Sequence, residues 1–182
     1  MRSADTGAVR LRARKEESGF GLIELLMSMT MLNVGILALI AAFQSGAFAL
    51  QRASKLSTAA AIADIQMERY RGYKYCGILF SASDVGAVDS TYTGDSSAYT
   101  GPPLTPANDP KCLGATPLPD SKPSLTITGP DSKRYRVDVY IAADTVSAAR
   151  PLKRVTVVIR DGATPSKVYA RVASTFDQST GS

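Results

Sequence analysis

The sequence predicts an α+β protein in which one long N-terminal helix precedes a small antiparallel sheet. Three observations lead there. After Glu24 no charged residue occurs until Arg52. Beyond that span, apolar residues recur at helical spacing as far as Tyr70. Between residues 133 and 176, three segments alternate apolar and polar residues with a period of two. Each element follows from the chain in turn.

Residues 1–19 read as a leader. Arg2, Arg10, Arg12, Arg14 and Lys15 outnumber Asp5, Glu16 and Glu17, and a basic segment before an apolar run keeps its end in the cytoplasm. A secretory signal places its small-residue cleavage site after the apolar stretch. Here the small pair Ser18-Gly19 comes before it. Cleavage after Gly19 would leave the apolar helix on the mature chain and create an α-amino group on Phe20. Glu24 is the other oddity. A carboxylate in a bilayer-length helix costs about 2.5 kcal/mol or more. A Phe20 amine on a neighbouring, axially offset helix would offset that cost by pairing with it.

Residues 25–43 carry no charge. With residues 20–24 they are long enough, at about 1.5 Å per residue, to cross a hydrocarbon core of about 30 Å. Ser28, Thr30 and Asn33 are the mid-span polar residues, and Gly35, Ala38, Ala41 and Ala42 permit close helix approach. The span assigned to the membrane is 20–47. Residues 48–75 continue as an amphipathic half of the same helix, with Leu56, Ala59, Ala60, Ala63, Met67 and Tyr70 expected on the buried stripe and Gly72 as the stop.

Residues 76–132 are rich in Gly, Pro, Ser, Thr and Asp, with six acidic residues against two basic ones. The reading is a solvated acidic loop with short strands near 77–80 and 125–128. Asp84, Asp89 and Asp95 have the spacing of no calcium loop. Cys76 and Cys112 are the only cysteines. An even count in an exported domain suggests a disulfide, with two free thiols as the alternative.

Residues 133–182 form the sheet. Tyr135, Val137, Val139 and Ile141 share one expected face with Val155, Val157, Ile159, Val168, Ala170 and Val172, and that face should cover the helix stripe at 56–70. Asp161-Gly162-Ala163 and Pro165 predict a hairpin between the last two strands. The opposite face, expected to be solvated, carries Arg134, Arg136, Arg154, Arg160 and Arg171. Two readings of that basic patch stand: solubility with complementarity to acidic loops of neighbouring subunits, or an adhesive or DNA-binding surface.

Gly19, Phe20 and Glu24 resemble the class III signal sequence of type IV pilins and pseudopilins. The pattern is a glycine, then an aromatic first mature residue, then a glutamate four residues on. Gly21 stands where that family usually has Thr or Ser, and the apolar span lacks the proline that many major pilins carry. Residues 32–39 and 63–71 look like the minor pilins called type IV pilus modification proteins (PilV-type). The resemblance implies a pilin fold, with three or four antiparallel strands packed on the long helix. It implies cleavage between Gly19 and Phe20 by an inner-membrane prepilin peptidase and N-methylation of Phe20. Glu24 would act in assembly. Implied partners are other pilin subunits, the peptidase/methylase, the inner-membrane assembly platform and, before assembly, membrane lipid. The N-terminus would be cytoplasmic and the head extracellular in the pilus. A pseudopilin of a type II secretion or competence DNA-uptake system shares the same motif.

Catalysis is not expected. The chain has no histidine, the commonest general base and zinc ligand, and no Gly-rich phosphate loop. No cofactor or metal is expected. The reading from a different class is a single-pass anchored adhesin or DNA-binding protein that never polymerises and keeps residues 1–19.

Overall fold

The computed structural model describes residues 21–144 and 152–178. The chain divides into two units, residues 1–47 and 48–182. It is α+β, with helix α1 (Leu22–Arg71) and a four-stranded antiparallel sheet.

In the first unit, the described residues 21–47 belong almost entirely to α1, and every one is exposed. The helix is long and apolar enough to cross a membrane. No proline breaks it, and leucine, methionine and alanine favour it. The Ser28 hydroxyl donates to the Glu24 carbonyl, and the Thr30 hydroxyl to that of Met27 at 2.8 Å. These hydroxyls therefore add no unpaired polar group to an apolar span. Glu24 in the first turn and Arg69 and Arg71 in the last match the helix dipole. The N–H of Gly72 closes the helix on the carbonyls of Glu68 and Arg69.

In the second unit, α1 buries Ala59, Ile62, Ala63, Gln66, Met67 and Tyr70. That stripe differs from the expected one. Ala60 lies about a quarter-turn off its centre at about 100° per residue, and it is exposed. Leu56 precedes the first buried residue, Ala59, by about one turn and stays 40% exposed. Ile62 and Gln66 take their places.

Strands β1 (Ser124–Thr128), β2 (Arg134–Asp144), β3 (Leu152–Asp161) and β4 (Val168–Asp177) pair in sequence order. The register sets Val137 opposite Ile159, Val139 opposite Val157 and Ile141 opposite Val155. With the α1 stripe these residues make the main core. At the β1–β2 turn Gly129 allows close approach: a Cβ there would lie 2.8 Å from the Tyr135 ring and 3.1 Å from Thr58 of α1. The hairpin after Asp161 is as expected, with one correction beyond it. Ile159 pairs with Ala170 but Arg160 pairs with Val168, so Tyr169 is a bulge residue. Val168 therefore shares the face of Arg160, 41% exposed, and Tyr169 packs with the helix-side core.

The segment 76–132 departs most from expectation. Only β1 of its two expected strands exists. Near 77–80 there is a 3-10 turn, Tyr75–Gly77, followed by a backbone bond from Phe80 N–H to the Leu104 carbonyl but no strand ladder. Two short helices follow, α2 (Ala82–Gly86) capped by Ser81 and α3 (Ser90–Thr93) capped by Asp89. Ile78, Leu79, Phe80, Leu104 and Cys112 join the main core, and the stretch around α3 lies on the second face of the sheet rather than in solvent. Tyr92 and Ala98 bury against Tyr140 and Val158. Consequently β2 and β3 are buried on both faces. The apolar Tyr140 and Val158 on the supposedly wet parity are the physical reason.

Candidate functional site

Gly19 and Phe20, the expected cleavage and methylation positions, lie outside the described residues. Glu24 is the one acidic residue in the first turn of α1. Among the described residues its carboxylate has no ion-pair partner, and the apolar side chains around it, Leu22, Ile23, Leu25 and Leu26, are at least half exposed. Transfer of such a carboxylate into an apolar surround is unfavourable unless a cation accompanies it.

The five arginines of the expected basic patch have different fates. Arg136 Nη2 donates to Asp89 Oδ1 at 2.7 Å and Nε to Asp138 Oδ1 at 2.8 Å. Arg160 Nε donates to Asp138 Oδ2 at 2.8 Å, and its Nη2 to Asp95. Arg171 reaches the same Asp95 carboxylate at 2.9 Å and the Ser97 hydroxyl. Arg154 pairs with Asp144 at 2.7 Å. Arg134 alone is exposed with no ion pair among the described residues. The patch is therefore not a free cationic surface. Asp138, expected on a wet face, is completely buried and joins two guanidiniums and the Ser124 hydroxyl.

The electrostatics follow from this pairing. The Arg136 hydrogen bond holds Asp89 down from 3.8 to about 2, and the same bond raises Arg136. Burial pushes Asp95 up, but bonds from Ser97 and Arg171 and the charges of Arg171 and Arg160 outweigh it and leave Asp95 low. The Tyr92 ring stacks on Tyr140 at 4.2 Å, and its hydroxyl donates to the Val139 carbonyl at 2.6 Å. Burial pushes Tyr140 up to about 12.

Cys76 and Cys112 form the expected disulfide. Beneath it lies Lys153, 1% exposed, whose ammonium donates to the carbonyls of Tyr75 at 3.0 Å and Ile78 at 3.2 Å. Asp109 Oδ2 is 2.8 Å away, a charge contact rather than an aligned hydrogen bond. Burial pushes Lys153 below the usual lysine range, with Asp109 opposing. Lys153 thus ties both arms of the disulfide loop to β3. Its parity with Val155, Val157 and Ile159 is the sequence signal that could have placed it inside.

Among the described residues, no group of three or more His, Cys, Asp or Glu side chains comes together to hold a metal ion. No family model, curated protein or solved structure matches the chain.

Proposed function

We propose that this chain is a structural subunit of a type IV filament, a minor pilin with a pilin fold. It would be held in the inner membrane by residues 20–47 until assembly. The observation that carries the reading is Glu24, a carboxylate without an ion-pair partner among the described residues, in the fully exposed apolar segment 21–47 and four residues after an aromatic that follows Gly19. Cleavage after Gly19 supplies the missing cation as the α-amine of Phe20. In the filament, neighbouring helices replace lipid around the span, and Glu24 of one subunit meets the amine of another. That pairing sets axial register, because either charge left alone in an apolar surround is unfavourable. The disulfide tether and the paired outer-face arginines support a structural role over a ligand-binding one on that face of the sheet.

The test is the N-terminal mass of the protein from membranes and from sheared surface material. A first residue of Phe20, methylated, is expected. An intact leader in cells with active prepilin peptidase would favour the anchored, non-polymerising alternative. Glu24→Ala is expected to be processed normally yet to enter filaments poorly. Normal incorporation would overturn the register role.

A further inference from the structure

Besides the paired outer-face arginines, three cations of the sheet region, Lys133, Arg134 and Lys167, lie close together in the second unit. Lys55 of α1, Lys133 of the β1–β2 turn and Arg134 of β2 line a cleft of about 220 Å³ with Tyr135, Asp161 and Tyr169. The Lys167 ammonium lies 5.4 Å over the Tyr169 ring. None of these four cations has a salt-bridge partner among the described residues.

Two carboxylates are close by, and both are already engaged. Asp161 Oδ2 accepts from the Tyr169 hydroxyl at 2.6 Å, and its Oδ1 accepts from the N–H groups of Ala163 and Thr164. Asp131 Oδ2 accepts from the Tyr135 hydroxyl at 2.7 Å, and its Oδ1 from Lys133 N–H. Three lining cations against one lining carboxylate, Asp161, leave an excess of two positive charges on the concave surface, with Lys167 and Asp131 beside it. A water occupies about 30 Å³ of liquid, so the cleft has room for a phosphate group.

A second observation names the source of the anion. In this same unit α1 begins with exposed apolar residues, Phe48 at 70% and Leu50 at 73%, and then carries Arg52 and Lys55. From Leu50 to Lys55 the helix rises about 7.5 Å. A headgroup layer, taken as half the difference between a bilayer of about 40–45 Å and its hydrocarbon core of about 30 Å, is about 5–7.5 Å deep. The order of apolar side chains, then cations, matches the order of acyl chain, then phosphate.

We propose that this cleft binds the phosphate headgroup of an anionic phospholipid at the bilayer surface. The proposal rests on the membrane-anchored part of the functional reading and not on filament assembly. A nucleic acid fits the same residues less well. Single-strand binders offer free aromatic faces for stacking, but Tyr135 is buried and set edge-on to Tyr169 at 5.9 Å.

The experiment uses the full chain in nanodiscs containing phosphatidylglycerol and phosphatidylcholine, with retained lipid counted by native mass spectrometry after release. Wild type is expected to retain phosphatidylglycerol selectively. Lys133→Glu with Arg134→Glu should reduce that selectivity about tenfold, equivalent to about 1.4 kcal/mol. Lys74→Glu with Lys111→Glu makes the same charge change at exposed positions elsewhere in the head and should leave the selectivity intact. Equal losses in the two variants overturn the proposal, as does a wild type without lipid preference. Displacement of the lipid by inorganic phosphate, or tighter retention of a single-stranded oligonucleotide, also overturns it. A chain that enters no nanodisc breaks the anchoring reading itself, whereas one that enters without preference breaks only the headgroup site.

Discussion

The outer face of the sheet and the cleft near Lys55 are both basic in sequence, yet they are opposites in the folded molecule. On the outer face the cations meet carboxylates brought from far along the chain. Asp89 is 47 residues from Arg136, and Asp95 is 65 from Arg160. At the cleft the local carboxylates are held by tyrosine hydroxyls and backbone N–H groups, and the cations have no salt bridge among the described residues. The contrast teaches that a count of charges along a strand does not measure available charge. What decides is whether another segment of the same chain supplies the counter-ion. The outer-face arginines hold a loop down, whereas the cleft cations hold no described carboxylate in a salt bridge.

The largest test of that contrast is Asp138→Ala. It strips the shared acceptor from Arg136 and Arg160 and leaves the Arg160 guanidinium, 6% exposed, short of counter-charge. Breaking a buried pair from one side costs about 3–5 kcal/mol. Urea denaturation of the full chain in detergent should show a loss of that size. A loss under about 1 kcal/mol, the range of exposed ion pairs, would mean that the paired face does little to hold the head together.

Next in size is the tether of the covering segment. Replacing Cys76 and Cys112 by serine opens a loop with a sequence separation of 36, worth about 3–4 kcal/mol in the chain-entropy account. The same denaturation measurement should show that loss. It should be larger in Lys153→Met, because Lys153 also holds the carbonyls on both sides of Cys76. An additive combination of the two changes would separate the ammonium from the disulfide and restrict its role to the Asp109 pair.

Why the contrast was only half legible follows from where each signal sits. The long helix, the period-two strands, the hairpin after Asp161 and the cysteine pair are local patterns, and each appears in the structure. The covering of the outer face depends on Tyr92 meeting Tyr140 and on Asp95 meeting Arg160, contacts that no local period encodes. The signal that was present lay in Tyr140 and Val158, apolar residues at positions assigned to solvent. The bulge at Tyr169 shifts parity by one residue, which alternation alone cannot foresee. Glu24 was legible because a carboxylate stands out in an apolar run, and no described residue pairs with it.

A smaller effect is expected from acid. Asp89 in the folded chain binds its proton more weakly than in the unfolded chain, at about 2 against 3.8. Its stabilisation is therefore present above pH 3.8 and is lost as pH falls from there toward 2. Near-ultraviolet circular dichroism of the stacked Tyr92 and Tyr140 should weaken across that window as the covering segment loosens. The Asp89 side chain is half exposed, so Asp89→Asn should cost under about 1 kcal/mol at neutral pH and shrink the acid transition. An unchanged transition would assign the acid response to Asp95, whose carboxyl is also held low.

The smallest effect is expected at the cleft, and it is the most discriminating. If Lys133 and Arg134 hold nothing within the chain, Lys133→Ala with Arg134→Ala should change stability by no more than about 0.5 kcal/mol, the range for surface positions without special contacts. Each alanine also relieves repulsion among like charges, so a slight gain is the expected sign, largest at low salt where screening is weak. The same denaturation measurement at low and high salt checks both size and sign. A loss comparable to that of Asp138→Ala would mean that the cleft cations are structural after all, and the opposition between a saturated face and an open one would disappear.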